Sequence, residues 1–201
     1  MSKIIGVTGP TGSGKSLMSV IADRMGIFVI NCDASARKAA YRGSALVRDL
    51  ADNFGEDILD EDGELNRKAL AEKAFANERS TMLLNRVSLP SIGKFVKGEI
   101  RAAEDEYDVI LLDAPTLFES GLDAVCDAVI AVLADTKVRK ERITERDSIT
   151  IEEAELRIGA GKDEEFYTSK TPYVIYNNAD QDSFQENAIK LLKKLTGGNR
   201  K

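Results

Sequence analysis

Gly9-Pro10-Thr11-Gly12-Ser13-Gly14-Lys15-Ser16 is the stretch on which the reading of this chain turns. The eight residues satisfy G-x-x-x-x-G-K-[ST], a loop whose backbone N–H groups turn inward around phosphate oxygens. Its flanks suit that geometry. Ile4-Ile5-Gly6-Val7-Thr8 has the apolar character of a buried strand, and Leu17, Met18, Val20, Ile21 and Met25 follow a helical period. A strand that turns through glycines into a helix N-terminus adds about half a positive charge to the ring of amides. In such a loop Lys15 reaches the β- and γ-phosphates and the Ser16 hydroxyl ligates Mg²⁺. Gly9 through Ser16, with Leu17 opening the helix, are therefore the expected nucleoside-triphosphate-binding residues.

With 201 residues the chain has room for one domain with insertions, or for a core and a small subdomain. Its 43% hydrophobic and 31% charged content is that of a soluble globular protein. The formal charge of −6, with no basic stripe, argues against a nucleic-acid partner but leaves room for local phosphate pockets. The apolar runs are only strand-length, which excludes a transmembrane helix, and the first strand candidate begins by residue 4, leaving no room for a leader. Cys32 and Cys126 lie far apart and lack metal-site spacing, so reduced structural cysteines in a cytoplasmic protein are expected. Histidine is absent, which removes the commonest general base and zinc ligand. Acid–base work must fall to a carboxylate, Lys, Tyr or Cys. No repeat is present, and low complexity is confined to Gly197-Gly198-Asn199-Arg200-Lys201.

Strand candidates Ile4–Thr8, Ile27–Asn31, Val109–Asp113, Ala128–Ala134 and Tyr173–Tyr176 alternate with helical patterns. That alternation predicts an α/β fold, a doubly wound parallel five-stranded sheet. Between the second and third strands, about Ser35 to Tyr107, no strand is expected. Leu46, Leu50 and Phe54 recur at helical spacing, as do Leu70, Ala74, Met82, Leu83 and Val87, with Asp60-Glu61-Asp62-Gly63 as a turn between them. This helical insertion is too long for an ordinary crossover, and it would either receive a second substrate or simply cap the fold. After the fourth strand, Asp135-Thr136 is expected to cap a helix through Arg139, Arg142 and Arg146. Thr150-x-x-Glu153 is a capping box that opens a second helix. Gly159 and Gly161 behind these two helices suit a mobile lid.

Three sets of residues are candidates for the chemistry. Asp33 follows the second strand's carboxyl end, where open α/β sheets hold ligands; it would orient or deprotonate a hydroxyl, or else serve as the N-cap of the following helix. Asp113 closes Val109-Ile110-Leu111-Leu112-Asp113, four apolar residues and an acid, the pattern that supports Mg²⁺ directly or through water. Arg142 and Arg146, four apart on one helix face, would neutralise a transferring phosphoryl group, or else pair with Glu141 and Glu145 in a solvated face. Both stand ahead of Arg139 and Lys140.

Together these segments resemble the dephospho-CoA kinase family over almost the whole length. Beyond the opening loop, Val29-Ile30-Asn31-Cys32-Asp33 is similar to the family's V-I-D-A-D. Phe54-Gly55-Glu56-Asp57-Ile58-Leu59, followed by Gly63-Glu64-Leu65-Asn66-Arg67, resembles F-G-x-x-I-L…G-x-L-D-R. Asp113-Ala114-Pro115-Thr116-Leu117-Phe118-Glu119-Ser120-Gly121 resembles D-V-P-L-L-F-E-S-G. Arg142-x-x-x-Arg146-Asp147 with Glu152-Glu153-Ala154 resembles the family's lid, and Val174-Ile175-Tyr176-Asn177-Asn178 its V-I-D-N-S.

The resemblance implies a P-loop kinase that phosphorylates the ribose 3′-hydroxyl of dephospho-CoA with ATP and Mg²⁺, the last step of coenzyme A synthesis. It implies a nucleotide-binding core at 1–34, 105–135 and 168–201, a helical acceptor domain at 35–104 and a lid at 136–167. Asp33 becomes the acceptor-activating carboxylate, with Lys15, Arg142 and Arg146 as its catalytic companions. Asn177 lies near the adenine, Leu117, Phe118 and Glu119 lie beside the acceptor, and Ser16 and Asp113 serve the metal. Four positions depart from the pattern. Leu89-Pro90 stands for His-Pro, Asn31 and Tyr176 each stand where the family favours Asp, and Gly161 stands for Gln. A kinase for a nucleoside or nucleoside monophosphate is the nearest rival on this scaffold. A nucleotide-binding module without activity is a second. A GTP-binding switch is disfavoured because no N-K-x-D follows the later strands.

Overall fold

The structure, a computed structural model, describes residues 2–197, so the Gly198–Lys201 part of the low-complexity tail and of the 168–201 core segment lies outside the described residues. In chain order the elements are β1 (Lys3–Thr8), α1 (Lys15–Arg24), β2 (Phe28–Asn31), α2 (Cys32–Ala39), α3 (Ala45–Phe54), α4 (Arg67–Ala74), α5 (Glu78–Ala103), β3 (Val109–Asp113), β4 (Ala128–Leu133), α6 (Thr136–Asp147), α7 (Ile151–Gly159), α8 (Glu164–Thr168), β5 (Tyr173–Tyr176) and α9 (Gln181–Thr196). Each of the five expected strands forms. The differences are at the ends: β1 begins at Lys3, β2 at Phe28, and β4 stops at Leu133.

The strands form an all-parallel sheet of order β2-β3-β1-β4-β5. The chain divides into two compact units. One holds the sheet and comprises the residues up to Ile30 and those from Ala103 on; the other is Asn31–Ala102.

In the sheet unit, alternation of side chains assigns the two faces. Ile130 and Val132 of β4 and Ile175 of β5 join Met18, Ile21 and Ala22 of α1 and Phe184, Ala188 and Leu192 of α9 in one core. Ala131 and Leu133, one residue out of phase, pack with Tyr167 of α8 and with Phe118 and Phe166. Burial on both sides explains why these strands read as unbroken apolar runs.

In the second unit Leu46 and Leu50 of α3, Ile58, and Leu70 and Ala74 of α4 form a separate core, with Leu84, Val87, Ile92 and Phe95 of α5 against it. The expected turn at 60–63 is present. Asp60 Oδ1 accepts from the amides of Asp62 at 3.1 Å and Glu64 at 2.8 Å, and Leu59 bridges Leu65 across the turn. The apolar set from Leu70 to Val87, however, belongs to two helices, and Met82 is 65% exposed. Helix α5 continues through Pro90. The missing N–H leaves the carbonyl of Arg86 without its helical donor, but apolar packing on both sides of the proline holds the helix. Among the described residues no helix is long and apolar enough to cross a membrane.

Candidate active site

The chain leaves β1 at Thr8 and turns through Gly9–Gly14 into α1, whose N-cap is Gly14. Two glycines are required on steric grounds. Gly9 has φ +144°, and a Cβ there would overlap the Val132 carbonyl oxygen of β4. Gly14 has φ +103°, and a Cβ there would overlap the Asn177 side-chain amide. Any other residue would fill the cradle and strain the backbone. The Lys15 ammonium folds back on the carbonyls of Gly9 at 2.7 Å and Pro10 at 3.1 Å. The Ser16 hydroxyl is on an exposed residue in the first turn of α1.

Three residues from two neighbouring elements, the end of β5 and α6, brace this loop. Asn177, 4% exposed just past β5, donates through Nδ2 to the Ser13 carbonyl at 2.9 Å. Its Oδ1 accepts from Arg142 Nη2 at 3.4 Å. Arg139, one turn earlier on α6 and 7% exposed, donates through Nε to the Thr11 carbonyl at 2.8 Å. Burial pulls the Arg139 guanidinium below its ordinary pKa, and in return it offsets part of the upward push of burial on Tyr167, which reaches about 12. Ser13 Oγ, Arg139 Nη2 and Arg142 Nη1 are buried and find no hydrogen-bond partner among the described residues. Unsatisfied buried donors are expensive, so three of them around one glycine cradle fit a bound polyanion.

Asp113, 6% exposed at the end of β3, accepts from the Ser19 hydroxyl at 2.7 Å. Ser19 lies one turn after Lys15 and also donates to the Lys15 carbonyl at 3.2 Å. This places the carboxylate against the first turn of α1, the turn that carries Ser16. Among the described residues no cluster of three or more His, Cys, Asp or Glu side chains would cage a metal. A donor set of one hydroxyl and one carboxylate fits Mg²⁺, which takes few protein ligands and shares phosphate oxygens.

The expected residues of the following loop divide. Leu117 is fully buried, and its Cδ2 lies 2.6 Å from where a Cβ on Gly6 would stand, so its side chain is core. Phe118 packs edge-on against Phe166 at 5.9 Å, and Glu119 is exposed. Arg146 is exposed and forms a fork with both oxygens of Asp147, at 2.7 and 2.9 Å. Arg139, placed behind it on sequence grounds, is the arginine joined to the loop. It stands three residues before Arg142, on the same helix face, but nothing local in the sequence marks it as the buried one.

The N-cap alternative for Asp33 is corrected, while Asp135 stands at the N-cap of α6 as expected. The cap of α2 is Asn31, whose Oδ1 accepts from Ala34 N at 2.8 Å, and this leaves Asp33 exposed in the first turn. Asp135 caps α6 without a side-chain bond. Its carboxylate accepts instead from Asn178 Nδ2 at 2.8 Å, while its amide donates to Asn178 Oδ1 at 2.7 Å. The Thr150–Glu153 capping box is present as expected at the start of α7. Tyr176, a departure from the family pattern, donates to Glu164 at 2.5 Å and ties α8 to β5. Neither cysteine is in a disulfide; burial, with help from Asp123 and Asp127, pushes the Cys126 thiol up to about 12.

Residues 3–183 match the sequence profile of the dephospho-CoA kinase family. The chain belongs to that family. A dephospho-CoA kinase from Corynebacterium diphtheriae is 35% identical over 194 residues, which cover 96% of this chain and 97% of the relative. The crystal structure of TT1252 from Thermus thermophilus superposes with a TM-score of 0.80 at 26% identity, covering 96% of this chain and 97% of that one. A dephospho-CoA kinase from Campylobacter jejuni gives 0.72 at 23% identity over 98% of both chains, a likeness of fold. Members of the family are kinases of coenzyme A synthesis, and this chain is an enzyme of that kind.

Proposed function

We propose that this chain transfers the γ-phosphoryl group of ATP to the ribose 3′-hydroxyl of dephospho-CoA, giving CoA and ADP. The observation that carries this reading is the glycine cradle with its three unpartnered buried donors, Ser13 Oγ, Arg139 Nη2 and Arg142 Nη1, in a chain of this family. The loop amides and Lys15 hold the β- and γ-phosphates. Lys15 exchanges its bonds to the Gly9 and Pro10 carbonyls for phosphate oxygens. Asn177 and Arg142 form the wall on the adenine side. Ser16 and Asp113 would hold Mg²⁺, which when bound neutralises charge on the phosphates.

Asp33 accepts the proton of the attacking 3′-hydroxyl. The new bond joins that oxygen to the γ-phosphorus, and the bond to the bridging oxygen breaks with its electron pair leaving on ADP. The lid arginines, Arg142 and Arg146, stabilise the charge spread over the equatorial oxygens. For Arg146 this requires leaving Asp147. Leu117 supports the acceptor through its backbone, and Phe118 and Glu119 through their side chains. A cytoplasmic location suits a biosynthetic kinase of this kind.

The test is a panel of acceptors assayed by ADP release. Dephospho-CoA should be turned over with ATP and Mg²⁺. Turnover of adenosine, a nucleoside monophosphate or shikimate, with none of dephospho-CoA, would overturn the assignment.

A further inference from the structure

Asp147, the last residue of α6, is shared by two arginines. Arg146 donates through Nε to Oδ1 at 2.7 Å and through Nη2 to Oδ2 at 2.9 Å. Arg157 of α7 donates through Nη1 to the same Oδ2 at 2.5 Å. The Asp147 side chain is 22% exposed, whereas those of Arg146 and Arg157 are 60% and 51% exposed. One carboxylate faces two cations, so either arginine can leave without stranding it unpaired. Arg142, one turn earlier on α6, is held differently: it contacts Asn177 and keeps Nη1 without a hydrogen bond among the described residues.

The junction behind this carboxylate is strained. Ser148, between α6 and α7, has φ +52° and is the one non-glycine residue of positive φ among the described residues. A left-handed residue that carries a Cβ persists only where its surroundings hold it. Arg157 on Asp147 joins α7 to the end of α6 across that junction. Lys140, which donates to Glu155 at 2.7 Å, joins the same two helices. Only the first of these two ties touches Arg146.

We propose that Arg157 is a positioning residue that releases Arg146 for phosphoryl transfer. The proposal rests on the role given to Arg146 above and specifies how that side chain leaves Asp147. In the empty protein Asp147 parks Arg146. When a triphosphate fills the cradle, Arg146 exchanges the carboxylate for phosphate oxygens, and Arg157 alone remains on Asp147. The exchange is feasible because partly exposed ion pairs are weak and a triphosphate offers several charged acceptors. Without Arg157 the departure of Arg146 would leave Asp147 with no cation, so Arg146 stays parked.

Substitutions of the two partners should therefore act in opposite directions. Arg157→Gln strengthens the hold of Asp147 on Arg146 and should lower kcat with dephospho-CoA roughly fivefold, the scale of one exposed ion pair, with little change in the KM for ATP. Asp147→Asn loosens that hold and should give a kcat equal to wild type or higher, and R157Q added to D147N should have no further effect. Glu155→Gln removes the other tie between the helices and should leave kcat unchanged. A contact that merely docks α7 would instead lower kcat in both R157Q and D147N, and that result overturns the proposal. A wild-type kcat in Arg146→Gln overturns it as well.

Arginine Nε–Hε NMR signals follow the exchange without turnover. The β,γ-imido analogue of ATP, added with Mg²⁺, should move the Arg146 signal in wild-type protein and move it less in R157Q. An Arg146 signal that stays in place in wild type, or moves equally in both proteins, overturns the exchange. If wild-type protein fails to phosphorylate dephospho-CoA, the functional reading has failed, and this titration alone decides the role of Arg157.

Discussion

Replacing Arg139 by methionine separates what this side chain does for the nucleotide from what it does for the fold. Arg139 is 7% exposed, and no carboxylate pairs with it among the described residues. A buried, unpaired cation opposes folding, and an apolar residue of similar volume in its place is often neutral or stabilising. The same guanidinium holds the Thr11 carbonyl at 2.8 Å and keeps one amino group unsatisfied beside the phosphate cradle. A hydrogen bond to a charged donor contributes about 1.5–3 kcal/mol. Losing it from the shaped loop should weaken ATP binding by roughly tenfold to 150-fold. The two effects have opposite sign: the melting temperature without ligand holds or rises, while the affinity for ATP falls. Calorimetric titration with ATP and a thermal scan of the same samples measure both. A variant that melts lower yet binds ATP like wild type would mean that Arg139 is a core residue with no part in the site.

Three further outcomes follow from the geometry. Gly14→Ala forces a left-handed backbone on a residue with a Cβ and drives that Cβ into Asn177, at a cost of about 2–4 kcal/mol from strain and the lost Ser13 bond together. Triphosphate binding should be nearly abolished, and retention within threefold of wild type by titration would contradict the cradle. Asp33→Asn should lower kcat by about 10²–10⁴ with little change in the KM for ATP; a kinetic constant equal to wild type removes Asp33 from the chemistry. The hydrogen-bonded fork from Arg146, aided by Arg157, holds the Asp147 carboxyl below its ordinary value of 3.8. Because that pKa is depressed, the stabilisation is present above 3.8 and is lost only as pH falls through the lowered value. The NMR shift of the Asp147 side-chain carboxyl carbon should therefore hold from neutrality down past 3.8 and change only below it, and that signal's transition is absent from Asp147→Asn.

The sheet was legible because strands buried on both faces leave continuous apolar runs, and their ends differ from expectation by one residue only, at Lys3, Ile27 and Ala134. The phosphate loop was legible because steric exclusion at Gly9 and Gly14 writes glycine into the sequence. Contacts made at long sequence separation were not. Arg139 meets Thr11 across 128 residues, and nothing local distinguishes a buried arginine from a solvated one. Asn31 and Asp33 both suit a helix start, and only the backbone decides which caps it. Helix α5 runs through Pro90, held there by flanking apolar residues packed on α3 and α4, a packing that no local pattern announces. Leu117 sits in a segment that resembles the family's acceptor loop, but the space over Gly6 draws its side chain into the core.

The most direct measurement is the fate of the γ-phosphate of ATP labelled at that position, incubated with this protein, Mg²⁺ and dephospho-CoA. Label should appear on the ribose 3′-oxygen of a product that comigrates with CoA, one phosphate gained for each ADP released. Label found only as inorganic phosphate, or on any other position of the acceptor, would contradict the account.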